Sequence, residues 1–83
     1  MKLSELITKD VINEQDGLKL GKVYDLEIDE ASGKVSLIRV KDGLRILSFL
    51  KNSNNIEIPW NKIVKIGNDV VIVDTYLNAS KNE

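Results

Sequence analysis

The chain has 83 residues, 42% of them hydrophobic and 30% charged, with twelve basic and thirteen acidic residues for a net charge of −1. That suits one small folded domain rather than a disordered chain, and leaves no clustered basic excess of the kind nucleic-acid binders carry. There is no cysteine and no histidine, which removes disulfides, thiolate nucleophiles, the commonest metal ligands and the commonest general base.

Met1 to Ile7 carries Glu5 and no long apolar run, so it does not read as a secretory signal. No stretch approaches the roughly 20 apolar residues of a membrane span. The expectation is a soluble, cytoplasmic chain, and the lack of cysteine fits a reducing compartment. A chain this short buries only about 60% of its unfolded surface, so a second copy would add useful buried area.

In chain order, Ser4-Glu5-Leu6-Ile7 reads as a helical turn capped by Ser4, too short to persist alone. Asp10 to Asn13 reads as a short strand. Glu14-Gln15-Asp16-Gly17 is a turn, because Asp-Gly supplies the positive-φ position that tight turns need. Gly21 marks a second place where a side chain is costly.

Lys22 to Asp29 is the clearest strand. Tyr24, Leu26 and Ile28 alternate with Asp25, Glu27 and Asp29. Val23 falls on the acidic face, which points to a bulge or to packing on both sides. Glu30-Ala31-Ser32-Gly33 is a hairpin connection with Gly33 in the left-handed position. Val35 to Lys41 is the return strand, apolar in part on both faces.

Asp42-Gly43 is another turn. Leu44 to Leu50 follows, apolar on both faces, and then the polar loop Lys51 to Asn55. Ile56-Glu57-Ile58 is a strand that Pro59 ends. Trp60-Asn61-Lys62 is a tight helical turn, Ile63 to Ile66 a strand, and Gly67-Asn68-Asp69 a turn. Val70 to Val73 is a β-branched strand. Residues 1–76 form the domain, and Leu77 to Glu83 reads as a mobile polar tail. Six or seven short antiparallel strands with many glycine turns predict an all-β fold, a small barrel.

Asp16, Asp25, Asp29 and Asp69 are the carboxylates to weigh for acid–base or metal chemistry. Asp29 to Gly33 superficially resembles a calcium loop but lacks the alternating oxygen ligands and distal glutamate. These aspartates read as turn and capping residues. Gly17 and Gly21 do not form a phosphate loop, since the Lys-Ser/Thr ending and the strand-to-helix context are absent. Trp60 is either an exposed binding anchor or a barrel plug under the Pro59 turn. A small core with one tryptophan favours the plug. Lys9, Lys19, Lys22, Lys34, Lys62 and Lys65 are scattered among acids and read as solvated surface rather than an RNA-binding face.

The best functional lead is the stretch with apolar residues on both faces: Leu44, Ile46, Leu47, Phe49 and Leu50 are expected to mediate self-association or partner docking. No catalytic residue, cofactor site or metal site is expected, and the chain reads as non-enzymatic.

The order of these pieces resembles the PRC-barrel family. The residues that carry the likeness are Asp16-Gly17, Leu20-Gly21, Val23, Asp25, Ile28-Asp29 and Gly33-Lys34-Val35. A second block is Ile58-Pro59-Trp60, Ile63, Lys65-Ile66-Gly67 and Asp69-Val70 to Val73. Within the family the chain is similar to short single-domain proteins of the YlmC/YmxH type, associated with sporulation. The resemblance implies a small barrel without enzymatic activity, used for interaction or assembly, with Asp16, Gly17, Gly21, Asp25, Gly33, Pro59, Trp60, Gly67 and Asp69 as turn and core residues. It favours Asp25 as a buried acceptor for backbone N–H groups of a neighbouring turn over a solvated surface position. A similar barrel in the ribosome maturation factor RimM contacts a ribosomal protein, which makes an RNA- or ribosome-associated module the alternative function. The chain departs from its relatives between Asp42 and Asn55, where they tend to carry a glycine-rich turn and a charged run.

Overall fold

The computed structural model describes residues 1–42 and 55–75. A helical turn α1 (Leu3–Leu6) leads into β1 (Asp10–Asn13), β2 (Lys19–Asp29) and β3 (Lys34–Asp42). After residue 54 come β4 (Asn55–Pro59), a 3₁₀ turn (Trp60–Lys62), β5 (Ile63–Ile66) and β6 (Val70–Val73). The expected mostly-β architecture holds. The stretch Leu44 to Leu50 and the tail from Leu77 lie outside the described residues.

The six strands form one sheet in the order β4-β3-β2-β1-β6-β5. Its two edges, β4 and β5, are consecutive in the chain and separated only by the 3₁₀ turn. Laid flat, six strands would hold those edges about 24 Å apart at a spacing near 4.8 Å. Four Cα steps from Pro59 to Ile63 reach at most about 15 Å. The sheet must therefore curl, and it takes a barrel-like shape without a ladder between β4 and β5 among the described residues. One neighbouring pair departs from the antiparallel pattern: β1 runs parallel to β6, with Asp10 opposite Val70 and Asn13 opposite Val73.

The mixed-face strands are explained by bulges. Val23 pairs with Val40 and Asp25 with Arg39, so Tyr24 is the extra residue. That slip turns Val23 inward, 2% exposed, and leaves Asp25 outward. Leu20 is similarly extra between Gly21, opposite Val11, and Lys19, opposite Ile12; it is fully buried. Ser36 and Val64 sit at two further register shifts. An added residue reverses the in–out alternation once, which is why period-two counting fails across these points.

The core comprises Leu6, Val11, Leu20, Val23, Ile38, Val40, Ile58, Val71 and Val73. Burying each such side chain contributes about 1.5–3 kcal/mol. Leu6 is the one core residue contributed by α1. That turn begins at Leu3, so Ser4 lies inside it rather than capping it. Glu5 supplies the cap instead, its Oε1 accepting from the Lys2 backbone N–H at 3.2 Å.

Gly17 (φ 72°), Gly21 (φ 138°) and Gly33 (φ 77°) all hold positive φ, a region costly for residues with a Cβ. Gly17 and Gly33 close turns, donating N–H to the carbonyls of Asn13 and Asp29 at 2.8 and 2.7 Å. Gly21 lies within β2.

Candidate functional site

Three groupings of side chains stand out. The first is on the outer face of β2-β3-β4. The ladders place Asp25, Arg39 and Glu57 in one cross-strand row. Arg39 Nη2 donates to Glu27 Oε1 at 2.7 Å, and Arg39 Nε to Glu57 Oε2 at 3.1 Å. Arg39 Nη1 lies 4.0 Å from Asp25 Oδ2. The hydrogen bond donated to Glu27 raises the Arg39 pKa above the usual guanidinium value; burial opposes it, and the bond to Glu57 and the charges of both glutamates add to the rise. One guanidinium thus neutralises part of a three-carboxylate cluster, and its planar fork suits that task.

The second grouping is at β1 and β2. Lys22 Nζ lies 2.8 Å from Asp10 Oδ1 and donates to the Thr8 carbonyl at 3.1 Å. Lys19 Nζ is 3.6 Å from Asp10 Oδ2. The Lys22 hydrogen bond, aided by Lys19, holds the Asp10 carboxyl below its ordinary value although partial burial opposes it. The pair also relieves Lys22, which sits directly across the ladder from Lys41, where like charges are destabilising.

The third is a hollow of about 190 Å³ lined by Met1, Lys2, Leu3, Leu6, Leu26 and Trp60. Leu26 comes from β2, Trp60 from the 3₁₀ turn and the remainder from α1 and the residues before it. Met1 is 66% exposed, Leu3 56% and Trp60 36%. Apolar side chains gathered and left open in this way are the surface feature that calls for a partner.

Several expected positions are placed differently. Asp25 is an exposed acceptor, not a buried one: its Oδ1 takes the N–H of the next residue, Leu26, at 2.9 Å. The bulge at Tyr24 turns it to the outer face, beside Arg39. Trp60 is not a buried plug, because the 3₁₀ turn carries it to the rim of the hollow. Lys9 leaves the solvated lysines: it is 9% exposed and its Nζ donates to the Asn68 carbonyl. Pro59, by contrast, ends the β3–β4 ladder as expected, opposite Leu37.

Asp16 and Asp29 serve turns through their side chains, and Asp69 contributes its backbone carbonyl. Asp16 Oδ1 accepts from the Leu18 N–H at 3.0 Å. Asp29 Oδ2 accepts from the Ser32 hydroxyl at 2.8 Å. The Asp69 carbonyl accepts from the Asp10 N–H at 3.0 Å, and Gly67 N–H donates to the Val70 carbonyl at 2.8 Å. Among the described residues no three His, Cys, Asp or Glu side chains are placed to hold a metal ion.

The sequence alone does not single out Arg39, Asn13 or the α1 side of the hollow. Asn13 is 1% exposed, and its Oδ1 accepts from the Thr75 N–H at 3.3 Å. A signal for Arg39 was present: it is the one charge between apolar Ile38 and Val40, on a strand flanked by acid-alternating neighbours.

This curled six-stranded sheet defines the class. The chain belongs to the PRC-barrel family, whose domain model matches residues 1–77. It is 39% identical over 71 residues to the probable sporulation protein YlmC of Bacillus subtilis (strain 168), covering 86% of this chain and 88% of that one. It is 33% identical over 76 residues to the uncharacterised YmxH of the same organism, covering 89% and 88%. An uncharacterised protein of Clostridium acetobutylicum is 36% identical over 72 residues, covering 87% and 82%. No helix among the described residues is long and apolar enough to cross a membrane.

Proposed function

We propose that the chain is a non-enzymatic interaction module that binds a second copy of itself through the Trp60 surface and works in a sporulation-related assembly in the cytoplasm. The observation that carries this reading is the open apolar hollow, with Trp60, Leu3 and Met1 exposed around it. Aromatic side chains at the centre of an apolar patch are the usual energetic anchors of protein interfaces. Self-association suits a chain with so small a core. The non-enzymatic reading is supported by how the charged groups are used: Arg39 and Asp10 sit in ion pairs that serve the sheet. The link to sporulation draws on the name of the YlmC relative.

Light scattering across a concentration series tests the proposal. The wild-type chain is expected to move from monomer towards dimer mass, and Trp60→Ala to stay monomeric while keeping its β-sheet circular dichroism. A wild-type chain that remains monomeric throughout would contradict it.

A further inference from the structure

The first ten residues are attached in two different ways. Residues 8–10 are held to the sheet by long-range bonds. Lys9 Nζ donates to the Asn68 carbonyl, Lys22 Nζ to the Thr8 carbonyl at 3.1 Å, and the Asp10 N–H to the Asp69 carbonyl at 3.0 Å. Nothing among the described residues holds residues 1–7 in this way. Among the described residues their hydrogen bonds stay local, linking Lys2, Leu3, Glu5, Leu6, Ile7, Thr8 and Lys9 to one another.

Only Leu6 of this segment enters the core, at 3% exposed, while Met1, Leu3 and Ile7 are 66, 56 and 42% exposed. One helical turn does not sustain itself, since nucleation costs more than a single turn of hydrogen bonds returns. The contact with the sheet is also shallow: the open hollow of about 190 Å³ is lined by α1 and the residues before it on one side and by Leu26 and Trp60 on the other, so the apolar side chains there keep part of their surface in water.

From this contrast we infer that residues 1–7 form a hinged plug that pivots at Thr8–Lys9 and leaves Leu26 and Trp60 while the sheet stays folded. The plug is the intramolecular occupant of the apolar seat. Closed, it half-covers Leu26 and fills the Leu6 socket; open, it presents Leu26, Trp60 and that socket together. The inference rests on the interaction reading above only in assigning the plug a purpose, which is to change the surface offered for association, from Met1, Leu3 and Trp60 when closed to Leu26, Trp60 and the Leu6 socket when open. Segments held by few buried contacts open at lower free energy than the sheet that carries them.

Native-state hydrogen exchange on the full-length wild type in sub-denaturing urea decides the matter. The amides of Glu5, Leu6 and Ile7 should exchange with one common opening free energy, more than about 100-fold faster than those of Ile38 and Val40. Their urea dependence should be measurable but shallower than the sheet's, because opening exposes a small apolar area. Protection of these amides equal to that of Val40, with the same urea slope, would overturn the plug. Gating is read by light scattering of Glu5→Ala, which removes the cap on the Lys2 N–H while leaving the core and the hollow's lining intact: a higher dimer fraction than wild type at equal concentration supports it, and an unchanged or lower fraction overturns it. If neither chain associates, the interaction reading and the gating fall together, and the exchange rates alone decide the plug.

Discussion

Arg39 Nη2 lies 2.7 Å from Glu27 Oε1, a contact that crosses the β2–β3 ladder diagonally just past the Tyr24 bulge. The bulge makes it possible, because were Tyr24 an ordinary ladder residue, Asp25 and Glu27 would share the inward face of Val23. Replacing Arg39 by Gln leaves Asp25, Glu27 and Glu57 facing one another without a cation. The variant should melt at lower temperature than wild type in low salt. Raising the salt screens attraction in the wild type and repulsion in the variant, so thermal melts should show the gap narrowing. A gap independent of salt would mean that Arg39 acts through packing of its stem.

Asp10 predicts a pH dependence. Its folded pKa lies below the ordinary aspartate value, first because of the Lys22 hydrogen bond. A carboxylate depressed on folding adds stability that is present above its unfolded pKa and is lost as pH falls through the folded one. Asp10→Asn should therefore be less stable than wild type by a constant margin near neutral pH. That margin should close below about pH 4, as urea midpoints measured between neutral and acid pH can show.

Ile38 and Ile58 face each other across β3 and β4 and are fully buried. Ile38→Ala or Ile58→Ala should destabilise the fold by about 2–5 kcal/mol, the range for buried isoleucine truncation with incomplete collapse of the cavity. Chemical denaturation should show a lower midpoint with an unchanged slope.

Gly33 closes the β2–β3 hairpin at φ 77°, with open space where a Cβ would stand. The cost of a side chain there is backbone conformation alone. Gly33→Ala should lose about 1–2 kcal/mol, and Gly33→Asn clearly less, since asparagine tolerates the left-handed region. Equal losses for the two variants would place the effect elsewhere.

Much of the fold was legible because short-range chemistry decides it. Asp16-Gly17 and Gly33 mark turns that local backbone sterics demand. Ile56-Glu57-Ile58-Pro59 shows a strand and its end within four residues. Val23, out of step with Tyr24, Leu26 and Ile28, already pointed to the bulge. What was not legible depends on register between distant strands. The Asp25–Arg39–Glu57 row exists only once β2, β3 and β4 are aligned, and the resemblance that favours a buried Asp25 does not carry that register. Lys9 reads as surface until the β5–β6 turn brings the Asn68 carbonyl to it. Trp60 reads as a core plug because the chain has one tryptophan and a small core, yet the 3₁₀ turn that it opens sets the indole at the rim. The parallel β1–β6 pair is equally non-local, joining residues sixty positions apart.

Trp60 is the chain's single tryptophan, so its fluorescence reports directly on the proposed interface. The decisive measurement is its emission maximum as a function of protein concentration, read beside the mass from sedimentation. Self-association through this surface predicts a shift to shorter wavelength that follows the dimer fraction, as the half-exposed indole leaves water. Dimer formation with an unmoved emission maximum, or a chain monomeric at every concentration, would contradict it.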